Sequence, residues 1–124
     1  MRRFTGIHFG PHSIRMKVDG HPTMNHIVIA PRVPMVGHYK RSEPGVMIDR
    51  KITDPKERQS IALHEAGERY LRFYSGLGPV QAHRIAEREE AHWDHRHGVN
   101  VPRLTQNVER VFRQNAREGV RRRR

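Results

Sequence analysis

The chain has 124 residues, of which 35% are apolar, and a formal net charge of +11 at pH 7. This length suits one domain with a modest core, and the lack of cysteine excludes disulfides and thiolate metal sites. No segment approaches the roughly 20 apolar residues of a membrane-spanning helix, and no apolar run follows the basic start, as it would in a secretory signal peptide.

The positive charge is concentrated at both ends of the chain. Residues 1–53 carry nine Lys and Arg against three acids, residues 103–124 carry eight against two, and residues 54–102 have a net charge of −1. Basic flanks of this kind suit contact with nucleic acid or another polyanion through counterion release. The candidate nucleic-acid-binding residues are Arg121, Arg122, Arg123 and Arg124. The alternative for these four is a solvated end that only aids solubility.

The N-terminal part predicts loops and two short strands. Residues 1–25 are rich in Gly, Pro and His, which predicts a basic, loop-rich arm. The apolar run in residues 26–34 predicts a strand that is stopped by Pro31 and Pro34. A second strand is predicted over residues 46–52, in which apolar residues recur.

Two helices follow, and both have clear start signals. Asp54 can cap the first, Pro55 fits its first turn, and the helical pattern continues to about Tyr74. The second helix starts at Pro79 and runs to about Trp93. Because the connection between them is short, we expect the two helices to be antiparallel neighbours.

The remainder of the chain predicts a loop, a third helix and a tail. Residues 94–102 are expected to form an exposed loop, and an amphipathic helix with Thr105 as a possible N-cap ends at Gly119. Residues 120–124 form an arginine tail. The expected fold is α+β, with short strands followed by an antiparallel helical hairpin and a C-terminal amphipathic helix, in a single domain over residues 26–119.

The first helix carries ionisable residues inside its apolar face. At about 100° per residue, His64 and Glu68 fall among Ile61 and Leu71, on the side expected to face inward. Glu65 falls at the edge of the same arc. The stretch is therefore His-Glu-x-x-Glu, which is the zinc-hydrolase signature His-Glu-x-x-His with a glutamate in place of the second histidine.

The second helix repeats this arrangement. His83, Glu87 and Glu90 share one face, and the small residues Gly67 and Ala86 would let the two helices approach closely. The ionisable faces would then enclose a small volume. Burying such groups unpaired costs several kcal/mol. A shared divalent cation would offset this cost, since imidazole nitrogen and carboxylate oxygen are both good zinc ligands.

His64 and Glu68 would bind such an ion from consecutive turns, and the facing helix would supply a third ligand. A three-ligand site leaves a position for water, and Glu65 would stand beside that water as general base. The alternative is that these groups form ion pairs with nearby arginines or are solvated. The candidate ion-pair partners are Arg58, Arg69, Arg72, Arg84 and Arg88.

The order of these motifs resembles that in a family of small phage and prophage proteins of largely unassigned function. The family pattern combines an Ile-Asp-Arg strand, His-Glu-x-x-Glu, a glycine turn, and Ala-His with a glutamate seven residues after the histidine. The resemblance covers roughly residues 45–100. The matching positions are Asp49, His64, Glu65, Glu68, His83 and Glu90.

The resemblance implies a zincin-like domain in which His83 is the third zinc ligand. Glu90 would hydrogen-bond to a zinc ligand or replace one as a ligand, and Asp49 would have a similar role near the metal. Glu87 has no counterpart in the family pattern, although its distance past Glu68 also suits a carboxylate ligand.

We therefore expect a phage-type zinc-binding protein similar to a minimal metallopeptidase. His64, Glu68 and His83 would hold the zinc, and Glu65 would activate water to cleave a peptide or amide bond. The alternative is a non-catalytic basic accessory protein of a virion or nucleoprotein particle, in which the helical site is structural and the basic flanks bind nucleic acid or an acidic protein. Either protein would act in the host cytoplasm or the phage particle, without a membrane.

Overall fold

The computed structural model describes residues 2–122, with the side chains of residues 2–119, and shows strands followed by helices. The strands are β1 (Phe4–Phe9), β2 (Ser13–Val18), β3 (His21–Ala30), β4 (Gly37–Tyr39) and β5 (Gly45–Asp49). The helices are α1 (Pro55–Phe73), α2 (Pro79–Arg96) and α3 (Val101–Arg122). The fold is therefore α+β, as the sequence predicts. None of the described helices combines the length and apolarity needed to cross a membrane.

The strands form one sheet in the order β1-β2-β3-β5-β4. β3 and β5 pair in parallel, from His26 opposite Gly45 to Ala30 opposite Asp49, and the other pairs are antiparallel. Residues 31–44 make the crossover that a parallel pair requires. They include β4, which pairs with the outer side of β5 and is therefore an edge strand.

One face of the sheet carries the core. In β2, Ile14, Met16 and Val18 are buried whereas Arg15 and Lys17 are exposed, as expected for a strand with one covered face. α1 packs on the sheet, where it contacts β2, β3, β4 and β5, and α2 packs against α1. α1 thus lies between the sheet and α2. The largest fully buried apolar side chains are Ile14, Ile48, Ile52, Leu63, Leu71, Val18, Val36, Val46 and Val111.

The prediction of a loop-rich arm over residues 1–25 is wrong. From residue 4 onward this segment forms β1, β2 and the first half of β3. The backbone amides of Arg3 and Phe4 also donate to the Glu89 carboxylate on α2, at 2.7 and 2.8 Å. Glycine marks a turn here, since Gly20 adopts a φ of 82° between β2 and β3. The alternation of apolar and polar residues in β2 is short, and the neighbouring turn residues led to the prediction of a loop. The apolar side chains of β2 complete the core.

α1 approaches β1 closely at Gly67. A side chain at this position would overlap the ring of Phe4, so the missing Cβ lets the helix lie near the strand. The sequence placed Gly67 opposite Ala86 on the second helix. Ala86 is buried, but the close approach at Gly67 is made to the sheet.

Local capping sets the helix boundaries. The Asp54 carboxylate accepts hydrogen bonds from two amides of the first turn, which starts α1 as predicted. α2 continues to Arg96, and the Asn100 side chain caps α3 by accepting from the amide of Arg103 at 3.1 Å. The predicted loop over residues 94–102 is therefore much shorter than expected, and α2 still buries Asp94 beyond its predicted end.

Candidate metal centre

α1 and α2 bring His64, Glu68 and His83 together, and we refer to these three residues as the His–Glu cluster. His64 and Glu68 lie one turn apart on α1, and His83 lies on α2. Their side chains are 11%, 12% and 50% exposed, respectively. The cluster therefore has a buried floor on α1 and an open side at His83, through which a small ligand can enter.

The spacing of the cluster suits a metal ion. One ligand-type atom from each residue lies within 4.8 Å of the others. Nε2 of His64 is 3.3 Å from Nδ1 of His83, which is 3.2 Å from Oε1 of Glu68. A tetrahedral zinc ion with bonds of about 2.0–2.1 Å separates neighbouring ligand atoms by roughly 3.3 Å. Two of the three separations therefore match those between neighbouring ligands of such an ion.

Two glutamates contact the nitrogens on the far side of the imidazoles. Oε1 of Glu90 lies 2.8 Å from Nδ1 of His64, and Oε1 of Glu87 lies 3.1 Å from Nε2 of His83. A carboxylate at this place favours the tautomer in which the ring donates its N–H outward. The lone pair of the other ring nitrogen then points toward the centre of the cluster.

With these tautomers, the centre of the cluster lacks a hydrogen-bond donor. Nε2 of His64, Nδ1 of His83 and the Glu68 carboxylate are all acceptors. Acceptors held at 3.2 and 3.3 Å without a proton between them repel one another. A proton on either ring would turn one of these contacts into a hydrogen bond, whereas one bound cation would satisfy all three groups at once.

Ser60 and Asp94 extend the cluster toward the protein interior, and neither was predicted. The Ser60 hydroxyl donates to Oδ1 of Asp94 at 2.6 Å and lies 3.1 Å from Oε2 of Glu90. Burial raises the pKa of Asp94 to about 6, although the hydrogen bond from Ser60 opposes this rise. The sequence did contain a spacing signal for both residues, because Ser60 precedes His64 by four residues and Asp94 follows Glu90 by four. Residues four apart share one helix face.

The acids around His64 change its titration and that of Glu65. Burial raises the pKa of Glu65 to about 7; the His64 charge opposes this rise, and the charges of Glu68 and Glu90 add to it. Burial lowers the pKa of His64, but its hydrogen bond to Glu90 and the nearby acids outweigh burial, so that this pKa is raised overall. Glu65 can thus exchange a proton near neutral pH, as a general base must.

Gly37 of β4 makes room for Glu65. A Cβ at Gly37 would lie 3.0 Å from Oε1 and 3.1 Å from Cγ of Glu65, and only 2.7 Å from Cγ2 of Ile61. The edge strand therefore passes directly beside the candidate base. The sequence gives no local signal for this contact, because it depends on how β4 pairs in the sheet.

The His–Glu cluster opens into a cleft of about 460 Å³. β4, α1 and α2 form most of its walls, and Val108 contributes from α3. Tyr39 of β4 presents its hydroxyl, which accepts a hydrogen bond from Nη1 of Arg72 at 3.0 Å. Burial raises the pKa of Tyr39; Arg72 opposes this rise and the Glu68 charge adds to it. A cleft of this volume suits a small ligand or a short piece of peptide.

Asp49 makes its contacts away from the His–Glu cluster. Its buried carboxylate accepts hydrogen bonds from the amides of Val33 and Lys51 and from the Asn115 side chain. Asp49 therefore ties the segment before β4 to α3, which differs from the expected place behind a metal ligand. The predicted nucleic-acid contacts Arg121, Arg122, Arg123 and Arg124 lie outside the described side chains.

Among the described side chains, the arginine ion pairs do not involve the acids around the cluster. Arg58 and Arg69 donate to backbone carbonyls, and Arg72 donates to a tyrosine. The ion pairs that arginines form among the described side chains involve Arg2, Arg3 and Arg88, with acids outside the site. The ion-pair alternative from the sequence therefore does not account for these glutamates.

Comparisons with models of protein families, with curated protein sequences and with solved structures each give no match for this chain. The functional interpretation therefore rests on the geometry of the His–Glu cluster and of the cleft beside it.

Proposed function

We propose that this protein binds one zinc ion through His64, Glu68 and His83 and uses it to hydrolyse a peptide or amide bond. One observation carries the proposal: a ring nitrogen of His64, a ring nitrogen of His83 and a carboxylate oxygen of Glu68 converge, with separations of 3.2 and 3.3 Å. Glu90 and Glu87 hold the far nitrogens of both rings, as the outer carboxylates of zinc-bound histidines do. The donor set of two imidazoles and one carboxylate is one that zinc accepts.

The packing of α1 against α2 supports the zincin-like arrangement that the resemblance to small phage proteins implies. α1 would carry His-Glu-x-x-Glu, and α2 would supply the third ligand. A three-ligand site is typical of catalytic rather than structural zinc, because a fourth position stays open. The half-exposed His83 leaves that open side in contact with the cleft.

Glu65 is the proposed general base. Its carboxylate lines the same cleft as the His–Glu cluster and lies against Gly37 of the edge strand. When bound, zinc would supply Lewis-acid activation of the carbonyl and of the attacking water. Glu65 accepts the proton of that water and returns it to the leaving amine.

The edge strand offers a way to hold an extended substrate. β5 pairs with one side of β4, and the strand order leaves the other side of β4 without a partner strand in the described sheet. Gly37, His38 and Tyr39 line the cleft. A peptide that added to this edge would receive main-chain hydrogen bonds, with its amide bonds close to the cluster.

Metal analysis of protein purified without added zinc tests the proposal. We expect about one zinc per chain, loss of the metal in His64→Ala and retention in Glu65→Gln. Cleavage of a mixed peptide library should be seen for the wild type and be absent from both variants. His92→Ala, at an exposed position of α2 outside the cluster, is the matched control and should retain zinc and activity. A wild type without zinc, or a His64→Ala variant with the full metal content, would refute the proposal.

A second candidate function, binding of nucleic acid, is favoured by one face of α3. Arg103, Arg110 and Arg117 are exposed and recur every seven residues, so they lie along one side of the helix. The arginine ion pairs among the described side chains involve other residues, Arg2, Arg3 and Arg88. The stripe is therefore available to phosphates. In this case the protein is a non-catalytic accessory component of a phage or nucleoprotein particle, and its metal site is structural.

Binding to a DNA duplex across a salt series tests this second candidate. The affinity should fall steeply with salt, and replacing Arg103, Arg110 and Arg117 by Gln should reduce the slope of log affinity against log salt by about 3. Glu65→Gln should leave this binding unchanged. A wild type that does not bind DNA at low salt would exclude the candidate.

A further inference from the structure

The cleft has a cationic end that the zinc chemistry does not use. Arg72 lies one turn beyond Glu68 on α1 and two turns beyond His64, so the three residues form one row along the helix. Arg72 lines the same cleft as the His–Glu cluster. Four helical residues span about 6 Å along the helix axis. The distance from the guanidinium to the cluster is therefore about the length of one or two residues of an extended peptide.

Aromatic rings hold the Arg72 guanidinium in place. Its Cζ lies 5.2 Å from the centre of the Phe73 ring and 5.9 Å from that of Tyr39. One nitrogen, Nη1, donates to the Tyr39 hydroxyl at 3.0 Å. A guanidinium has five N–H donors, and Tyr39 is the hydrogen-bond partner that the described side chains provide for it. Most of its donors are therefore free to bind a ligand in the cleft.

A second guanidinium lies at the same aromatic ring. Cζ of Arg41 is 5.6 Å from the centre of the Phe73 ring. The Arg69 guanidinium donates to the carbonyls of Lys40 and Arg41, at 2.8 and 3.1 Å, and so fixes this segment beside α1. Arg41 therefore adds positive charge at the ring that holds Arg72. No acid among the described side chains forms an ion pair with either Arg41 or Arg72.

We propose that this end of the cleft binds a carboxylate of the substrate through Arg72, with Arg41 adding to the positive field. The inference rests on the proposed hydrolase function and narrows its substrates to peptides or amides with a negative charge near the cleaved bond. A planar guanidinium binds a carboxylate with two parallel hydrogen bonds, which a neutral amide cannot match. The carboxylate has two possible sources, a free C-terminus and an Asp or Glu side chain.

An NMR titration that observes the side-chain Nε–H of Arg72 tests the inference. The signal is assigned by its loss in Arg72→Lys. The probes are N-acetyl-Ala-Ala with a free C-terminus, the same peptide as its C-terminal amide, and N-acetyl-Ala-Asp-amide, each added to metal-free and to zinc-loaded protein. We expect at least one acidic probe to bind about tenfold more tightly than the neutral amide. The comparison of the two acidic probes identifies the source of the carboxylate.

Two variants separate charge from geometry. Arg72→Gln, whose binding is measured from backbone amide signals, should abolish the preference for acidic probes. Arg72→Lys should retain a part of the preference, because the positive charge remains but the planar guanidinium is lost. Arg113→Gln, at an exposed position of α3, is the matched control and should retain the full preference. Retention of the preference in a folded Arg72→Gln protein would overturn the inference.

The two proposals fail in different ways. If all three probes shift the Arg72 signal alike, the carboxylate inference is wrong whether or not zinc binds. If added zinc leaves the ring signals of His64 and His83 unchanged, the hydrolase proposal fails. A shift of the Arg72 signal that is selective for acidic probes would still support an anion site in the metal-free protein.

Discussion

Oε1 of Glu90 lies 2.8 Å from Nδ1 of His64, and this contact directs the opposite nitrogen of the ring toward His83. The two residues come from different helices, so the packing of α1 against α2 sets the orientation of the imidazole. Ser60 stands behind Glu90, with its hydroxyl 3.1 Å from Oε2. A partly buried carboxylate therefore favours one tautomer of the residue that begins the His-Glu-x-x-Glu motif.

Replacing Glu90 by Gln should weaken zinc binding about 10- to 100-fold. Gln has the same shape and can still accept from Nδ1 of His64, but it lacks the negative charge that makes the ring a better ligand. Competition with a chromophoric chelator measures the affinity. Glu109→Gln, at an exposed position of α3, is the matched control. Equal zinc affinity in Glu90→Gln and the control would show that Glu90 does not support the ligand.

Replacing Gly37 by Ala should lower hydrolysis about 100-fold while zinc stays bound. The new Cβ would lie 3.0 Å from the carboxylate oxygen of Glu65 and 2.7 Å from Ile61, so the base must move. Loss of a positioned general base costs about 100-fold or more, and the crowding should reduce the free energy of unfolding by about 1–3 kcal/mol. Peptide cleavage and metal content are measured on the same preparation.

Gly119→Ala is the control for that change, because nothing lies within 4 Å of a Cβ at Gly119. It should keep full activity and gain slightly in stability, since Ala is the better helix former. Full activity in Gly37→Ala, with zinc bound, would argue against the proposed role of Glu65.

Replacing Asp94 by Asn should change how stability depends on pH. Burial raises the pKa of Asp94 in the folded protein to about 6, from an ordinary value of 3.8. The folded state therefore binds this proton more tightly than the unfolded state, and the wild type loses stability as the pH rises from about 4 to about 6. The amide of the variant accepts the same hydrogen bond from Ser60 without this titration. The variant should gain on the order of 1–2 kcal/mol over the wild type across this range, after allowance for screening by solvent.

Urea unfolding of both proteins between pH 4 and pH 7, with a chelator present, measures that difference. Groups distant from Asp94 titrate equally in the two proteins, so the difference reports Asp94 together with its charge interactions with Glu90 and His97. A difference in the free energy of unfolding that does not change with pH would contradict the raised pKa.

The helical part of the site was the more predictable part. His64 and Glu68 lie four residues apart on one helix, and this spacing places them on one face whatever the rest of the fold does. Asp54 and Pro55 marked the start of α1 for local reasons as well, since capping depends on adjacent backbone amides. Helical spacing also predicts that His83 shares one face with Glu87 and Glu90, whereas its choice as the third ligand came from the resemblance.

The sheet part was less predictable, because it depends on pairing between distant segments. The sequence around Gly37 does not show that β4 pairs with the outer side of β5 and passes beside Glu65. Asp49 was expected near the metal, but its partners Val33 and Asn115 come from a crossover and from a distant helix. In β2, the alternation of buried and exposed residues was present in the sequence but short, and the neighbouring Gly and Pro residues favoured a loop instead.

Anomalous diffraction from a zinc-soaked crystal would show whether His64, Glu68 and His83 bind one metal ion. We expect a single zinc peak between the two helices, at about 2.0–2.1 Å from Nε2 of His64, Nδ1 of His83 and a carboxylate oxygen of Glu68. Glu90 and Glu87 should remain hydrogen-bonded to the outer nitrogens. A zinc-soaked crystal with no peak between these residues, or with zinc only at the exposed histidines at the end of α2, would contradict the account.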